Sequence, residues 1–155
     1  LPEGEREAVI VGDAGDSFSY AALNAAFRAL ERGAEFLALA NNRSFRDADG
    51  GLSLDAGPFV AALTFASRRE PLILGKPAPD YFLSALASMD CSPEQAVMVG
   101  DDAENDVAGA MAAGLSGVLV RTGKYQPGAE ASIAPPPSVV APELPAAVDW
   151  ILAQR

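Results

Sequence analysis

Three aspartates and a glutamate stand within six residues in the run Gly100-Asp101-Asp102-Ala103-Glu104-Asn105-Asp106, directly after an apolar stretch that reads as a strand over 96–99. Like charges this close repel, and each raises its neighbour's pKa unless a cation compensates them. The donors are hard carboxylate oxygens and the chain holds no histidine, a combination that suits Mg²⁺ better than zinc. The same acids would also suit the first turn of a helix, whose dipole favours negative charge. Taken alone, the run fits either a cation site or a decorated helix start.

A second run tips the balance. Pro71-Leu72-Ile73-Leu74-Gly75-Lys76-Pro77 reads as another apolar strand, over 72–74, which ends in Gly-Lys and leads into a proline-started helix through 81–86. If the two strands are parallel neighbours, their carboxyl ends share one edge of the sheet. Lys76 and Asp101 then meet in the crevice where open α/β sheets bind ligands. An ammonium beside a Mg²⁺ carboxylate site shares the charge on a transferring phosphoryl group. The plain alternative is a lysine in a solvated turn.

The remaining elements alternate as α/β units do. The pattern predicts a strand over 8–11, a helix over 20–32 capped near Ser19 and ended by Gly33, a strand over 35–40, a polar loop over 41–51 and a helix over 59–68. After the acidic run, a helix capped by Asp102 or a near neighbour is expected through 106–113, stopping at Gly114. A strand over 117–120 and a last helix from about Leu144 follow, with Val148, Trp150 and Ile151 on one face that packs. The prolines at 135–137 read as a restricted surface connection.

The lysine after a strand and the Gly-Asp-Asp followed four residues later by Asp resemble the third and fourth motifs of the haloacid dehalogenase-like (HAD) phosphatases. The segments Gly51-Leu52-Ser53-Leu54-Asp55-Ala56-Gly57-Pro58-Phe59-Val60, Gly75-Lys76-Pro77 and Val120-Arg121-Thr122-Gly123-Lys124-Tyr125 are similar to the subfamily IIA branch, and the likeness runs through essentially the whole chain. The resemblance implies an α/β fold in which a HAD-like Rossmannoid core, represented by its C-terminal half, carries an inserted α/β cap domain of the IIA type. Residues 1–70 would be cap, responsible for substrate choice, and 71–155 core. It further implies a Mg²⁺-dependent phosphatase that works through an aspartyl-phosphate intermediate. By position, Asp101 would be the Mg²⁺ ligand, Lys76 would neutralise charge on nucleophile and phosphate, and Asp106 would orient that lysine or a metal-bound water. Asp102 and Asn105 are secondary candidates.

The sequence also departs from the family pattern. The nucleophile motif, Asp-x-Asp-x-Thr/Ser on a first strand, and the Ser/Thr of the second motif are absent, so no nucleophile is found and the chain reads as a truncated form, inactive alone. Asp13 and Asp16 follow a strand but are three apart rather than two, and align better with the first cap strand and its turn. In the cap, Asn41-Asn42-Arg43-Ser44-Phe45-Arg46 stands where related phosphatases carry an Arg-aromatic-aromatic-Lys run. Asn41, Arg43 and Arg46 are therefore candidates for binding substrate, since an arginine fork binds two oxygens of an anion. An ordinary solvated loop fits these residues equally well. The Arg121-Thr122-Gly123-Lys124-Tyr125 run is assigned to loop structure before catalysis.

Composition narrows the partners. A net charge of −10 over 155 residues repels phosphate backbones and anionic bilayers, so neither nucleic acid nor membrane is expected. No apolar run approaches the ~20 residues of a membrane span, and Leu1-Pro2-Glu3-Gly4-Glu5-Arg6-Glu7 is no signal peptide. A cytoplasmic location is the default. Cys91, the only cysteine, can form no intrachain disulfide and reads as structural. A half-core with open strand edges predicts a homo-oligomer. Two functions follow: a Mg²⁺-dependent phosphatase of small phosphorylated substrates, or a non-catalytic module that binds a metal or ligand or assembles with another chain.

Overall fold

The computed structural model of the chain describes residues 6–154. Arg155 and residues 1–5, on which most of the expectation of no signal peptide falls, lie outside them. The chain divides after Gly75 into two compact units, each with its own sheet and core.

The first unit holds β1 (Ala8–Val11), α1 (Tyr20–Glu31), β2 (Glu35–Ala38), β3 (Ser44–Arg46), β4 (Leu52–Leu54), α2 (Ala56–Ser67) and β5 (Leu72–Ile73). Its main sheet is parallel, in the order β1-β2-β5. Val9 and Val11 alternate inward along β1 and join Phe36, Ala38, Leu30, Val60 and Leu63 in the core, as a strand covered on one face should. The helices pack on each other and on β1, and the rings of Phe18 and Phe59 stack at 3.7 Å. Ser19 caps α1 by accepting from the Ala22 N–H, as its type and place predict.

Three expectations need correction here. The loop over 41–51 is in part a strand: β3 pairs antiparallel with β4, with Phe45 opposite Ser53. Three residues are too few to establish the alternation by which strands are read, and the leucines of β4 face solvent rather than a core. The helix expected from 59 starts at Ala56, because Asp55 caps it. Most consequentially, β5 pairs with β2, Leu37 lying opposite Leu72, and not with the strand of the acidic run. Lys76 is therefore not delivered as the end of a neighbouring strand of that sheet.

The second unit comprises α3 (Pro79–Ser88), β6 (Val97–Gly100), a π-helical turn (Ala103–Ala108), α4 (Gly109–Ala112), β7 (Ser116–Val120), β8 (Val139–Ala141) and α5 (Leu144–Leu152). β6, β7 and β8 form a parallel sheet, with Val99 opposite Val118 and Val118 opposite Val139. Val107, Val118, Leu119, Ala141 and Ala147 are buried around it. The strand β8 was concealed by its brevity and by the prolines just before it. The helix expected through 106–113 begins as a π turn at Ala103 and becomes α-helical only from Gly109. On α5, Trp150 packs as expected but Val148 is 42 % exposed; the inward positions are Ala146 and Ala147, whose small size lets the helix lie close to the sheet. Cys91 is an exposed free thiol in the turn after α3, with Sγ 3.4 Å from the Met89 carbonyl. No helix among the described residues is long and apolar enough to cross a membrane.

Candidate active site

Lys76, Asp101, Asp102, Asn105 and Asp106 all belong to the second unit. β6 ends at Gly100, and Asp101 and Asp102 follow at its carboxyl end. A side chain at Gly100 would put its Cβ 2.4 Å from the Asp106 Cβ, so only glycine lets the returning π turn lie against the strand end. That turn opens on Asp102, whose Oδ1 accepts from the Glu104 and Asn105 N–H groups at 3.0 and 2.9 Å and whose Oδ2 accepts from the Asn105 side-chain amide at 2.7 Å. The turn is wide because the Asp102 carbonyl accepts from both the Asp106 and the Val107 N–H.

Asp106 is thereby buried, and it meets Lys76. Nζ of Lys76 donates to Asp106 Oδ1 at 2.6 Å, while Asp106 Oδ2 accepts from the Asp102 backbone N–H at 3.3 Å. Burial pulls the Lys76 pKa down, but the hydrogen bond and charge of Asp106, with further help from the nearby negative groups, outweigh it and hold it above the ordinary lysine value. The ammonium therefore stays charged at neutral pH. For Asp102 burial pushes the carboxyl up, yet hydrogen bonds from Lys124 and Asn105 prevail and keep it below the usual carboxylate value. Asp101, half-buried, accepts at Oδ2 from the Lys124 backbone N–H at 2.7 Å. Lys124 was not among the candidate residues; its ammonium stands 2.7 Å from Asp102 Oδ2.

These shifts set a pH dependence. A raised lysine pKa contributes stability that is complete below the unfolded value of about 10.4 and is lost as pH rises through the folded value. Melting temperature should accordingly fall on the alkaline side, and Lys76→Met should flatten that limb. A calorimetric pH series on both chains tests this, and equal alkaline limbs would contradict it.

The other candidates lie in the first unit. Asn41 lines a cavity of about 420 Å³ with Val60, Thr64, Phe65 and Ile73. Arg46 donates to the Gly50 carbonyl at 2.7 Å within the hairpin, and Arg43, also exposed, has interactions of its own. Asp13 and Asp16 are exposed, Asp13 accepting from the Gly15 N–H at 3.3 Å within the turn after β1. The one Asp-x-Asp spacing in the sequence, Asp47 and Asp49, closes the hairpin: their carboxylates accept from Ser53 Oγ and the Gly51 N–H.

The family model described as HAD-hydrolase-like matches residues 73–147. Mouse haloacid dehalogenase-like hydrolase domain-containing protein 2 is 46% identical over 145 residues, spanning 94% of this chain and 56% of that protein. The chain belongs to the haloacid dehalogenase-like hydrolases. As a HAD-like hydrolase it is also similar to the phospholysine phosphohistidine inorganic pyrophosphate phosphatase of Danio rerio, at 41% identity over 95% of the chain and 55% of the relative. Among solved structures, a glycerol phosphate phosphatase from Mycobacterium tuberculosis in complex with magnesium superposes with a TM-score of 0.74, at 31% identity over 89% of this chain and 41% of that one. The chain spans about half the length of the curated relatives it matches.

The atoms that Asp101 and Asp102 offer are hard carboxylate oxygens, and the chain holds no histidine, a chemistry that suits a hard cation such as Mg²⁺. Among the described residues no group of three or more His, Cys, Asp or Glu side chains forms a metal-binding cluster. Mg²⁺ keeps several of its waters and takes only one or two protein carboxylates.

Proposed function

We propose that this chain contributes the lysine and the acidic part of the active site of a Mg²⁺-dependent phosphatase acting on a small phosphorylated substrate. The observation that carries the reading is the pair of Lys76 with the buried Asp106 beside the Asp101–Asp102 strand end, in a chain with relatives named as phosphatases. Bound Mg²⁺ would supply a Lewis acid that draws charge from the phosphate oxygens. Asp101 would hold it through one carboxylate oxygen, Lys76 would present a fixed positive charge to the phosphate, and Asp106 would keep the ammonium aimed and protonated. Asp102 and Asn105 would hold the turn in shape. We read the first unit as the cap, with Asn41, Arg43 and Arg46 as the groups that choose the leaving group. Ile10 and Leu72, each 60 % exposed and flanking Leu37 on adjacent strands, support self-association into a homo-oligomer.

The test is hydrolysis of p-nitrophenyl phosphate by the full-length gene product, with and without Mg²⁺. Asp101→Asn should cost about 10²–10³-fold in the Mg²⁺-dependent rate, and an unchanged rate would refute the ligand assignment. Residues 1–155 alone, which lack the Asp-x-Asp-x-Thr/Ser motif, should turn over negligibly. Turnover abolished by Asp13→Asn would show that a nucleophile exists after β1.

A further inference from the structure

The loop after β7 touches both acids of the strand end. Thr122 and Tyr125 close a turn, the Tyr125 N–H donating to the Thr122 carbonyl at 3.0 Å, and Lys124 sits inside it. Its backbone N–H takes Asp101 Oδ2 and its ammonium takes Asp102 Oδ2, both at 2.7 Å. The contact is made possible by Gly123, at φ +55°, where a Cβ would fall 1.8 Å from Asp101 Oδ2. The Lys124 and Asp102 side chains are 21 % and 14 % exposed, so their pair is largely shielded from water. With Glu104, Asn105 and Lys124 together, both oxygens of Asp102 are already engaged.

We propose that Lys124 is a positioning residue that divides the duties of the adjacent acids. Its N–H occupies Asp101 Oδ2 and leaves Oδ1 for a divalent cation, while its ammonium holds Asp102 as an ion-pair partner and keeps it from becoming a second ligand. The inference rests on the reading of Asp101 as a metal ligand. Two adjacent carboxylates on one Mg²⁺ would bind it more tightly, because affinity rises with the number of ligand charges. They would also fill a coordination position that a phosphate oxygen needs. Holding Asp102 away therefore keeps the ion weakly bound and open.

The consequence runs against ordinary damage to a site. Lys124→Met removes a positive charge beside the cation and takes the ammonium off Asp102 Oδ2, leaving there only the neutral Asn105 amide, so Mg²⁺ should bind about 5–10-fold more tightly. In the full-length gene product kcat should fall at the same time. A lysine needed only for folding would weaken both. Lys124→Arg keeps the charge and should restore Mg²⁺ affinity close to that of the unaltered chain.

The experiment is calorimetric titration with Mg²⁺ of four chains: unaltered, Lys124→Met, Lys124→Arg and Asp101→Asn. Tighter binding by Lys124→Met alone, together with loss of binding in Asp101→Asn, is the expected result. If Asp101→Asn loses binding while Lys124→Met binds equally or more weakly than the unaltered chain, this inference is overturned and the metal-ligand reading stands. If Asp101→Asn binds as the unaltered chain does, or no chain binds, the metal-ligand reading falls and this inference with it.

Discussion

Asp106→Ala should lower the melting temperature by about 10–15 °C, the largest loss expected from any single surface-distant polar group in the second unit. The Asp106 side chain is 8 % exposed and serves two donors, the Lys76 ammonium and the Asp102 N–H. Truncating it leaves a partly buried cation without its counter-charge and a peptide N–H without its acceptor, which together cost about 2–3 kcal/mol. Asp106→Asn keeps the volume and one acceptor and should cost less. Asp149→Ala, an exposed change on α5, is the control and should stay within about 0.5 kcal/mol of the unaltered chain. Thermal unfolding followed by circular dichroism decides it. Equal melts for Asp106→Ala and Asp149→Ala would mean that the pair contributes nothing to the fold.

The second large effect is on rate. In the full-length gene product, Lys76→Met should reduce phosphatase kcat/KM by about 10³-fold, since a fixed charge aimed at a group that gains charge in the transition state is worth several kcal/mol. Lys76→Arg should recover only part of this, because the planar guanidinium cannot occupy the place of an ammonium held 2.6 Å from Asp106. The folded fraction at assay temperature, measured alongside, separates this loss from instability. A Lys76→Met enzyme that keeps more than about a tenth of its rate would remove the lysine from the chemistry.

The pairing of Lys76 with Asp106 was one of two roles that the family resemblance implied for Asp106; residue types and spacing alone pointed instead to Lys76 beside Asp101, through a strand pairing that β5 does not make. The sequence shows that an apolar run ends in Gly-Lys and that another ends in Gly-Asp-Asp. It does not show which sheet a two-residue strand joins, and β5 pairs with β2 through only Leu37–Leu72 and Ala38–Ile73. The hairpin of β3 and β4 was hidden for a related reason: its strands are three residues long and mostly exposed, and they pair through backbone groups that every residue carries. At the acidic run, residue types announced the carboxylates but not their partners. Lys124 lies 23 residues beyond Asp101 and reaches it through a backbone N–H, a donor that leaves no mark in sequence. Gly123, just before it, was the nearest thing to a signal, since a glycine ahead of a cation in a loop marks a place where the chain must come close to something.

The π turn that begins after Asp102 carries a further implication, one that concerns descent rather than energy. Such a turn holds one residue more than an α-helix would use to climb the same distance. The turn absorbs that residue locally, so the helix after it keeps the direction it would have had without it. An insertion of this kind places Asp106, inside the widened turn, against Lys76 while α4 continues undisturbed. A lineage could therefore gain an acid at this edge of the sheet without rebuilding the helix that follows.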